Sequence, residues 1–194
     1  MGLFNKIKNR FDKEASIMDG NNYLHEGKFE KALEIYEKGL NIDSEDARLW
    51  NNKGLALAGL KKYDKALKSY EEALKIDPGY ADVWQGKGKV FHDQGKYKEA
   101  LYCYDKVLDL DPNYFNAWHN KGLILAKTKK YDEAIECIDK ALELEPQNVN
   151  EWYFKSMLFQ KTKKMNKAIE CINKTLELDP NFEPALKAKE IIEM

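Results

Sequence analysis

The sequence predicts an all-α protein built from stacked helix-turn-helix repeats. Its four tryptophans lie 34 residues apart, and glycine, alanine, leucine and proline recur with the same period. A fixed period of this length is typical of repeats that stack to bury one continuous core. The repeated positions are Trp50, Trp84, Trp118 and Trp152; Gly54, Gly88 and Gly122; Ala32, Ala66, Ala100, Ala134 and Ala168; Leu40, Leu74, Leu108, Leu142 and Leu176; and Pro78, Pro112, Pro146 and Pro180.

Each repeat contains the pattern of two helices. In the second repeat, apolar residues around Trp50 recur at helical spacing, and a turn is predicted at residues 60–64. A second helix is predicted over 65–76, and it ends at Asp77-Pro78 because proline cannot continue a helix. The glycine and alanine positions carry small side chains, which lets the two helices pack closely.

This pattern resembles the tetratricopeptide repeat family, whose Trp, Gly, aromatic, Ala and closing Pro positions recur every 34 residues. The resemblance implies a right-handed superhelical solenoid. The first repeat departs most from the pattern, since Ser16 occupies the tryptophan position and Ser44 the closing proline position. We place a basic amphipathic segment at 1–12, five repeats at 13–46, 47–80, 81–114, 115–148 and 149–182, and a C-terminal capping helix at 183–194.

Composition argues against several classes of protein. The 32 cationic and 33 acidic residues give a net charge of -1, whereas nucleic-acid binders concentrate positive charge. No apolar run approaches the roughly 20 residues that span a bilayer, and no secretory signal is visible. We therefore expect a soluble, cytoplasmic protein that does not bind nucleic acid.

No residue pattern indicates an enzyme, a metal or a cofactor. Cys103, Cys137 and Cys171 occupy one position in three successive repeats, which favours small packing residues over a disulfide or a zinc site. The three histidines fall in three different repeats and form no i, i+4 pair. Nucleophile motifs and glycine-rich phosphate loops are missing from the sequence. We expect neither catalysis nor a bound cofactor.

The position before the helical glycine, often leucine in this family, is lysine in four of the repeats. We expect each lysine to pack its apolar stem against the protein and to extend its ammonium group into water. These residues are Lys53, Lys87, Lys121 and Lys155.

The family resemblance implies that the first helix of each repeat lines a concave groove that holds a partner. Counted from each tryptophan, the side chains two before it and one, two and five after it are the candidates. Many are amides, which both donate and accept hydrogen bonds and so suit the backbone of an extended peptide. The alternative is that these asparagines are ordinary packing residues. The predicted groove residues are Asn21, Arg48, Asn51, Asn52, Asp82, Gln85, Lys89, His92, Asn116, His119, Asn120, Asn150, Tyr153 and Phe154.

Some members of the family clamp the acidic C-terminal tails of chaperones with lysine, asparagine and arginine side chains. Here Asn21 and Asn52 match that clamp, but Ile17, Asp82 and Gly86 stand at its cationic positions. Without those cations the charge-assisted bonds to carboxylates are missing, so we predict that this chain does not bind such tails.

The N-terminal segment combines an apolar stripe with surrounding cations. Three alternatives fit it: a cover over the first repeat, a contact with a second copy, or a helix on an anionic membrane surface. The stripe is formed by Leu3, Phe4, Ile7 and Phe11, and the cations are Lys6, Lys8, Arg10 and Lys13. At the other end, we expect Ala185, Leu186, Ile191 and Ile192 to pack on the fifth repeat.

Together, these features predict an adaptor or scaffold that binds an extended peptide or a helix of a partner protein. Two alternatives remain open: a self-assembling structural scaffold, and a peripheral membrane adaptor anchored through the N-terminal helix.

Overall fold

The computed structural model describes the backbone of residues 2–193 and their side chains, except those of Leu3 and Glu193. Within that range the secondary structure is eleven α-helices and no strand, which confirms the predicted all-α repeat fold. The helices are α1 (Leu3–His25), α2 (Phe29–Ile42), α3 (Ala47–Gly59), α4 (Tyr63–Ile76), α5 (Ala81–Asp93), α6 (Tyr97–Leu110), α7 (Phe115–Lys127), α8 (Tyr131–Leu144), α9 (Val149–Lys161), α10 (Met165–Leu178) and α11 (Glu183–Glu193).

The helices form two compact units, unit 1 (Met1–Leu110) and unit 2 (Asp111–Met194). Each odd-numbered helix from α1 to α9 packs on the helix that follows it. In unit 1 the odd-numbered helices also contact one another in order, α1 on α3 and α3 on α5. We call the surface that α1, α3 and α5 present together the A-helix face.

A left-handed backbone residue makes the turn inside every repeat. In the second repeat, the N–H of Lys61 donates to the carbonyl of Ala58, and the N–H of Lys62 donates to the carbonyl of Leu57. This pair of bonds is the Schellman motif, which ends a helix with one residue at positive φ and which glycine favours. The residues at positive φ are Gly27, Lys61, Gly95, Lys129 and Lys163.

The repeated glycines make room for the large rings of the second helices. A Cβ atom on Gly54 would lie 2.5 Å from the ring of Tyr70, and one on Gly88 would lie 2.7 Å from the ring of Tyr104. Both tyrosines are buried in the core. Glycine at these positions is therefore a condition for packing an aromatic ring between the two helices of a repeat.

Each repeated tryptophan fixes the start of its helix to the preceding loop. The indole Nε1 of Trp118 donates to the carbonyl of Pro112 over 2.9 Å, and Trp152 does the same to Pro146. The tryptophan and proline positions are therefore connected directly. The same bond joins Trp84 to Pro78 and Trp50 to Ser44.

The lysines before the helical glycine do not extend into water as the sequence led us to expect. The ammonium group of Lys53 lies 5.3 Å from the ring centroid of Trp50 and 3.0 Å from Oε1 of Glu37. Each ring face and each neighbouring carboxylate attracts the cation, so the ammonium stays against the protein. Lys87 with Trp84 and Glu71, and Lys155 with Trp152 and Asp139, repeat this arrangement.

The N-terminal segment continues the first helix instead of folding over the first repeat. Helix α1 has 23 residues, whereas α3 has 13. Phe4 is 79% exposed and Phe11 is 72% exposed, so a cover over the first repeat does not fit the structure. The side chain of Leu3, also assigned to the stripe, lies outside the described residues.

The C-terminal helix packs in part as predicted. Ala185 is buried, and α11 contacts α10. Leu186 and Ile191 remain exposed, so their predicted packing is wrong. Their exposure follows from their position on the side of α11 that no described helix covers.

Candidate partner-binding face

The A-helix face between the first two repeats is closed by a network of side chains. Oδ1 of Asn21 accepts hydrogen bonds from the hydroxyl of Tyr36 over 2.7 Å and from Nδ2 of Asn52 over 2.9 Å. Asn51 is buried and donates to Oδ1 of Asn52 over 3.2 Å. Burial raises the pKa of Tyr36 to about 12, so its hydroxyl is a donor at neutral pH. Asn21, Asn51 and Asn52 are therefore engaged with one another, as the packing alternative expects.

The equivalent network is missing between the second and third repeats. Leu55 stands 34 residues after Asn21, and Gly86 stands 34 residues after Asn52. Tyr70, the counterpart of Tyr36, is buried, and its hydroxyl has no hydrogen-bond partner among the described residues. Burial raises the pKa of Tyr70, which keeps this hydroxyl protonated.

An open cavity of about 360 Å³ occupies this place on the A-helix face. We call it the hollow. Leu55 and Val90 contribute apolar walls from α3 and α5, and charged groups such as Lys89 stand among the lining residues. The hollow is lined by Leu24, Phe29, Leu55, Ala58, Gly59, Lys61, Tyr63, Tyr70, Gly86, Lys89, Val90 and Asp93.

Arg48, predicted to face the groove, is part of an ion-pair network that joins α1 to α3. Its Nη2 lies 2.7 Å from Oε1 of Glu14 and 2.7 Å from Oδ2 of Asp46. Asp46 caps α3 by accepting from the backbone N–H of Arg48, and it also pairs with Lys13 at 3.0 Å. Burial acts to raise the pKa of Asp46, but hydrogen bonds from Arg48 and Lys13 outweigh it and hold that pKa at about 2.

In unit 2, a buried carboxylate joins α7 to α9. Glu151 is only 2% exposed, and its Oε1 lies 2.5 Å from Nδ1 of His119. The imidazole also stacks on Phe115, with ring centroids 6.2 Å apart. The predicted groove residue His119 is therefore tied to the neighbouring helix.

The predicted apolar end of the groove is partly occupied. The ring of Tyr153 makes an edge contact with Phe182, with centroids 5.4 Å apart. Phe154 is half-buried, and Met157 is exposed.

The remaining predicted residues differ in accessibility. Lys89 lines the hollow, and the structure gives no other grouping of these predicted residues. Gln85 is half-buried, with Oε1 unpaired among the described residues. Asp82, Asn116 and Asn150 are exposed, while His92 and Asn120 are half-buried.

Sequence reasoning misses the side chains that carry the hollow. It places Tyr70 in the core and Phe29 at a packing position, and it identifies neither as a binding residue. The signal is present in the repeat alignment, because both asparagine positions change together, to Leu55 and Gly86.

The three cysteines are buried and free, as a packing role requires. Burial raises the pKa of Cys103 and of Cys171 to about 11, so both are thiols at neutral pH. Among the described residues, no group of three or more His, Cys, Asp or Glu side chains is arranged to hold a metal ion.

Family models match the chain across most of its length. One is described as TPR repeat and three as tetratricopeptide repeat. The matched residues are 20–61 and 88–129 for the first, and 47–80, 115–148, 69–102 and 152–182 for the others. The chain belongs to the tetratricopeptide repeat (TPR) family. The family predicted from the repeated residues is thereby confirmed.

Solved TPR structures share this fold. YrrB, described as a TPR protein with an unusual peptide-binding site, is 25% identical, with a TM-score of 0.73 over 97% of this chain and 98% of its own. PilF of Pseudomonas aeruginosa is 23% identical, with a TM-score of 0.81 over 92% of this chain and 82% of its own. MamA of Desulfovibrio magneticus RS-1 is 23% identical, with a TM-score of 0.77 over 88% and 97%. No curated protein matches the sequence.

Proposed function

We propose that this TPR protein is an adaptor that docks an extended segment of a partner protein on its A-helix face. The observation that carries the proposal is the hollow, an open cavity of about 360 Å³ lined by helices of three successive repeats. Binding sites are concave, mostly apolar and furnished with a few polar groups, and the hollow has this composition. We propose no catalytic role, since TPR arrays are typically scaffolds. A cytoplasmic location stays a prediction.

An extended segment fits this face better than a globular surface does. The hollow is one depression on a face built from three parallel rows of side chains, so a ligand that follows the face crosses α1, α3 and α5 in turn. YrrB, the TPR protein with a peptide-binding site, shares the fold over nearly the whole chain, which supports a peptide as the ligand.

A displayed library of random twelve-residue peptides, selected on the full chain, tests the proposal. Peptide affinity is then measured by fluorescence anisotropy for the wild type and for Leu55→Glu with Lys89→Glu, which changes two exposed residues of the hollow. The control is Lys68→Glu with Lys75→Glu, two residues on α4. We expect at least about tenfold weaker binding for the first variant and no change for the control. Failure to select any peptide, or equal loss in both variants, contradicts the proposal.

A second candidate function rests on the exposed N-terminal part of α1. Phe4, Ile7 and Phe11 form an exposed apolar stripe, and residues 2–11 carry three cations and no acid. A helix with this distribution binds an anionic membrane surface through both terms. No helix between residues 2 and 193 is long and apolar enough to cross a membrane, so such attachment is peripheral.

Vesicle sedimentation tests this attachment. The full chain should sediment with vesicles of phosphatidylcholine and phosphatidylglycerol but not with phosphatidylcholine alone, and Phe4→Ser with Phe11→Ser should abolish it. The matched control replaces Ile191, an exposed apolar residue of α11, with Ser. Soluble wild type whose mass in sedimentation equilibrium doubles with concentration, and which ignores vesicles, would support self-association through the stripe instead.

A further inference from the structure

The hollow is a place where the repeat pattern is broken in a particular way. Between the first and second repeats, Asn21 satisfies the tyrosine hydroxyl and Asn52 covers it. Between the second and third repeats, an apolar side chain and a glycine replace these two amides, but the tyrosine with its hydroxyl is kept. The inference drawn here rests on the proposed docking of a partner segment on the A-helix face.

A buried hydroxyl without a protein partner needs an explanation, because nearly all buried polar groups in proteins are hydrogen-bonded. The array itself shows that the hydroxyl is dispensable, since Ile138 and Ile172 occupy the tyrosine position in the fourth and fifth repeats. A phenylalanine would keep the ring packing against Gly54 and remove the unpaired donor. The retained hydroxyl therefore indicates an acceptor supplied from outside the chain.

Gly86 determines how closely that acceptor can approach. A Cβ atom at this position would lie 2.8 Å from the hydroxyl oxygen of Tyr70, so any side chain here would press on the donor. Glycine keeps the tip of Tyr70 adjacent to the hollow that both residues line. A main-chain carbonyl is the acceptor that an extended segment offers at regular intervals.

The remaining lining decides the side chain that accompanies the carbonyl. Leu24, Leu55 and Val90 provide apolar walls, and Phe29 adds an aromatic ring. The volume of about 360 Å³ is near the lower end of the roughly 300–1,000 Å³ found for ligand sites, which suits one large side chain.

We propose that the hollow is an anchor subsite for one large apolar residue of the partner segment, Leu, Ile, Met or Phe, and that the hydroxyl of Tyr70 donates to a main-chain carbonyl beside that residue. Affinity comes from the burial of the apolar side chain, and the hydrogen bond fixes the register of the segment.

The test uses N-acetyl-leucine methylamide as the probe, because it carries one apolar side chain and two amide carbonyls. It is titrated into the full chain labelled with ¹⁵N, and the amide signal of Gly86 reports on the hollow. N-acetyl-aspartate methylamide is the control probe, since a carboxylate side chain is disfavoured by apolar walls. We expect the leucine probe to shift the signal of Gly86 and the aspartate probe to leave it unchanged.

Two variants separate the anchor from a general apolar contact. Tyr70→Phe removes the donor but keeps the ring, and Leu55→Asn copies the first repeat, where asparagine takes the tyrosine hydroxyl. Each should weaken the probe about fivefold, the value of one neutral hydrogen bond. Tyr36→Phe is the matched control, because Tyr36 already donates to Asn21, and it should bind the probe as the wild type does.

The failures of the two proposals are distinguishable. A probe that leaves Gly86 unchanged, or that binds Tyr70→Phe as tightly as the wild type, overturns the anchor subsite. Peptides selected from the library would still establish docking elsewhere on the A-helix face in that case. If no peptide is selected at all, the docking itself fails.

Discussion

The hydroxyl of Tyr36 donates a hydrogen bond of 2.7 Å to Asn21, whereas the equivalent hydroxyl of Tyr70 has no partner among the described residues. Removal of the two hydroxyls should therefore have different effects. Tyr36→Phe should lower the free energy of unfolding by about 1 kcal/mol, because it breaks a formed bond. Tyr70→Phe should leave it unchanged or raise it by up to about 1 kcal/mol, because it removes an unpaired donor. Urea denaturation followed by circular dichroism measures both, and equal destabilisation would show that Tyr70 is already bonded.

The depressed pKa of Asp46 predicts a loss of stability in acid. Its carboxylate is ionised in the folded state down to a pKa of about 2, against a value near 3.8 in the unfolded chain. Its contribution is therefore complete above about pH 4 and is lost as the pH falls through 2. We expect Asp46→Asn to cost about 1–2 kcal/mol at pH 7, with allowance for solvent screening, and almost nothing at pH 2.

The control for this pH dependence is Asp12→Asn, which alters an aspartate on α1 that forms no part of the Asp46 network. Unfolding by urea is measured for both variants between pH 2 and pH 7. A difference between Asp46→Asn and the wild type that stays constant over this range would contradict the assignment.

The left-handed turn residues predict substitutions of opposite sign. Lys163 has a φ of 59°, a conformation that costs a side-chain-bearing residue roughly 1–2 kcal/mol. Lys163→Gly should raise the free energy of unfolding by about 0.5–1 kcal/mol once the greater entropy of glycine in the unfolded chain is subtracted. Gly95 has a φ of 73°, and a Cβ atom added there would meet no atom within 4 Å, so Gly95→Ala should destabilise through backbone strain alone. Thermal unfolding of the two variants gives the signs, and a stabilising Gly95→Ala would contradict the argument.

The close approach at Gly54 predicts a large effect from one methyl group. Gly54→Ala would place Cβ 2.5 Å from the buried ring of Tyr70, and overpacking of this kind costs roughly 1–3 kcal/mol. The loss should exceed the gain of about 1 kcal/mol that alanine brings to a helix. Gly79→Ala is the control, because its nearest side-chain contact would be an ordinary 3.5 Å. Scanning calorimetry should show a lower Tm for Gly54→Ala than for Gly79→Ala.

The helical repeat is predictable because each packing position recurs every 34 residues. Five copies of Ala32 and its equivalents define the buried stripe of the second helices, and all five are fully buried in the structure. Contacts between repeats are less accessible to sequence reasoning. The repeat pattern predicts that the ammonium group of Lys53 reaches water, but Trp50 lies on its own helix and Glu37 on the preceding one, and only the packed structure brings both to that group.

The candidate site is predictable only in outline. The register places Asn21, Asn52 and Lys89 on the first helices, but it cannot show that the two asparagines satisfy each other. Arg48 has the right position relative to Trp50 for a groove residue, although Glu14 and Asp46 pair with its guanidinium group. A side-chain pairing between residues some 30 positions apart depends on the angle and spacing of two helices, and the repeat period does not specify either.

The hydrogen bond from each tryptophan to the carbonyl six residues earlier sets a rule for how the chain can change length. The acceptor closes one repeat and the donor opens the next, so the bond spans the point at which a repeat would be duplicated or lost. A duplication or deletion of 34 residues recreates the same donor and acceptor at the new junction. A change of any other length between helix pairs separates them and misaligns the following repeat. Gene duplication in whole units is thus the change in length that leaves every junction intact, and an array of this kind gains or loses binding surface one repeat at a time.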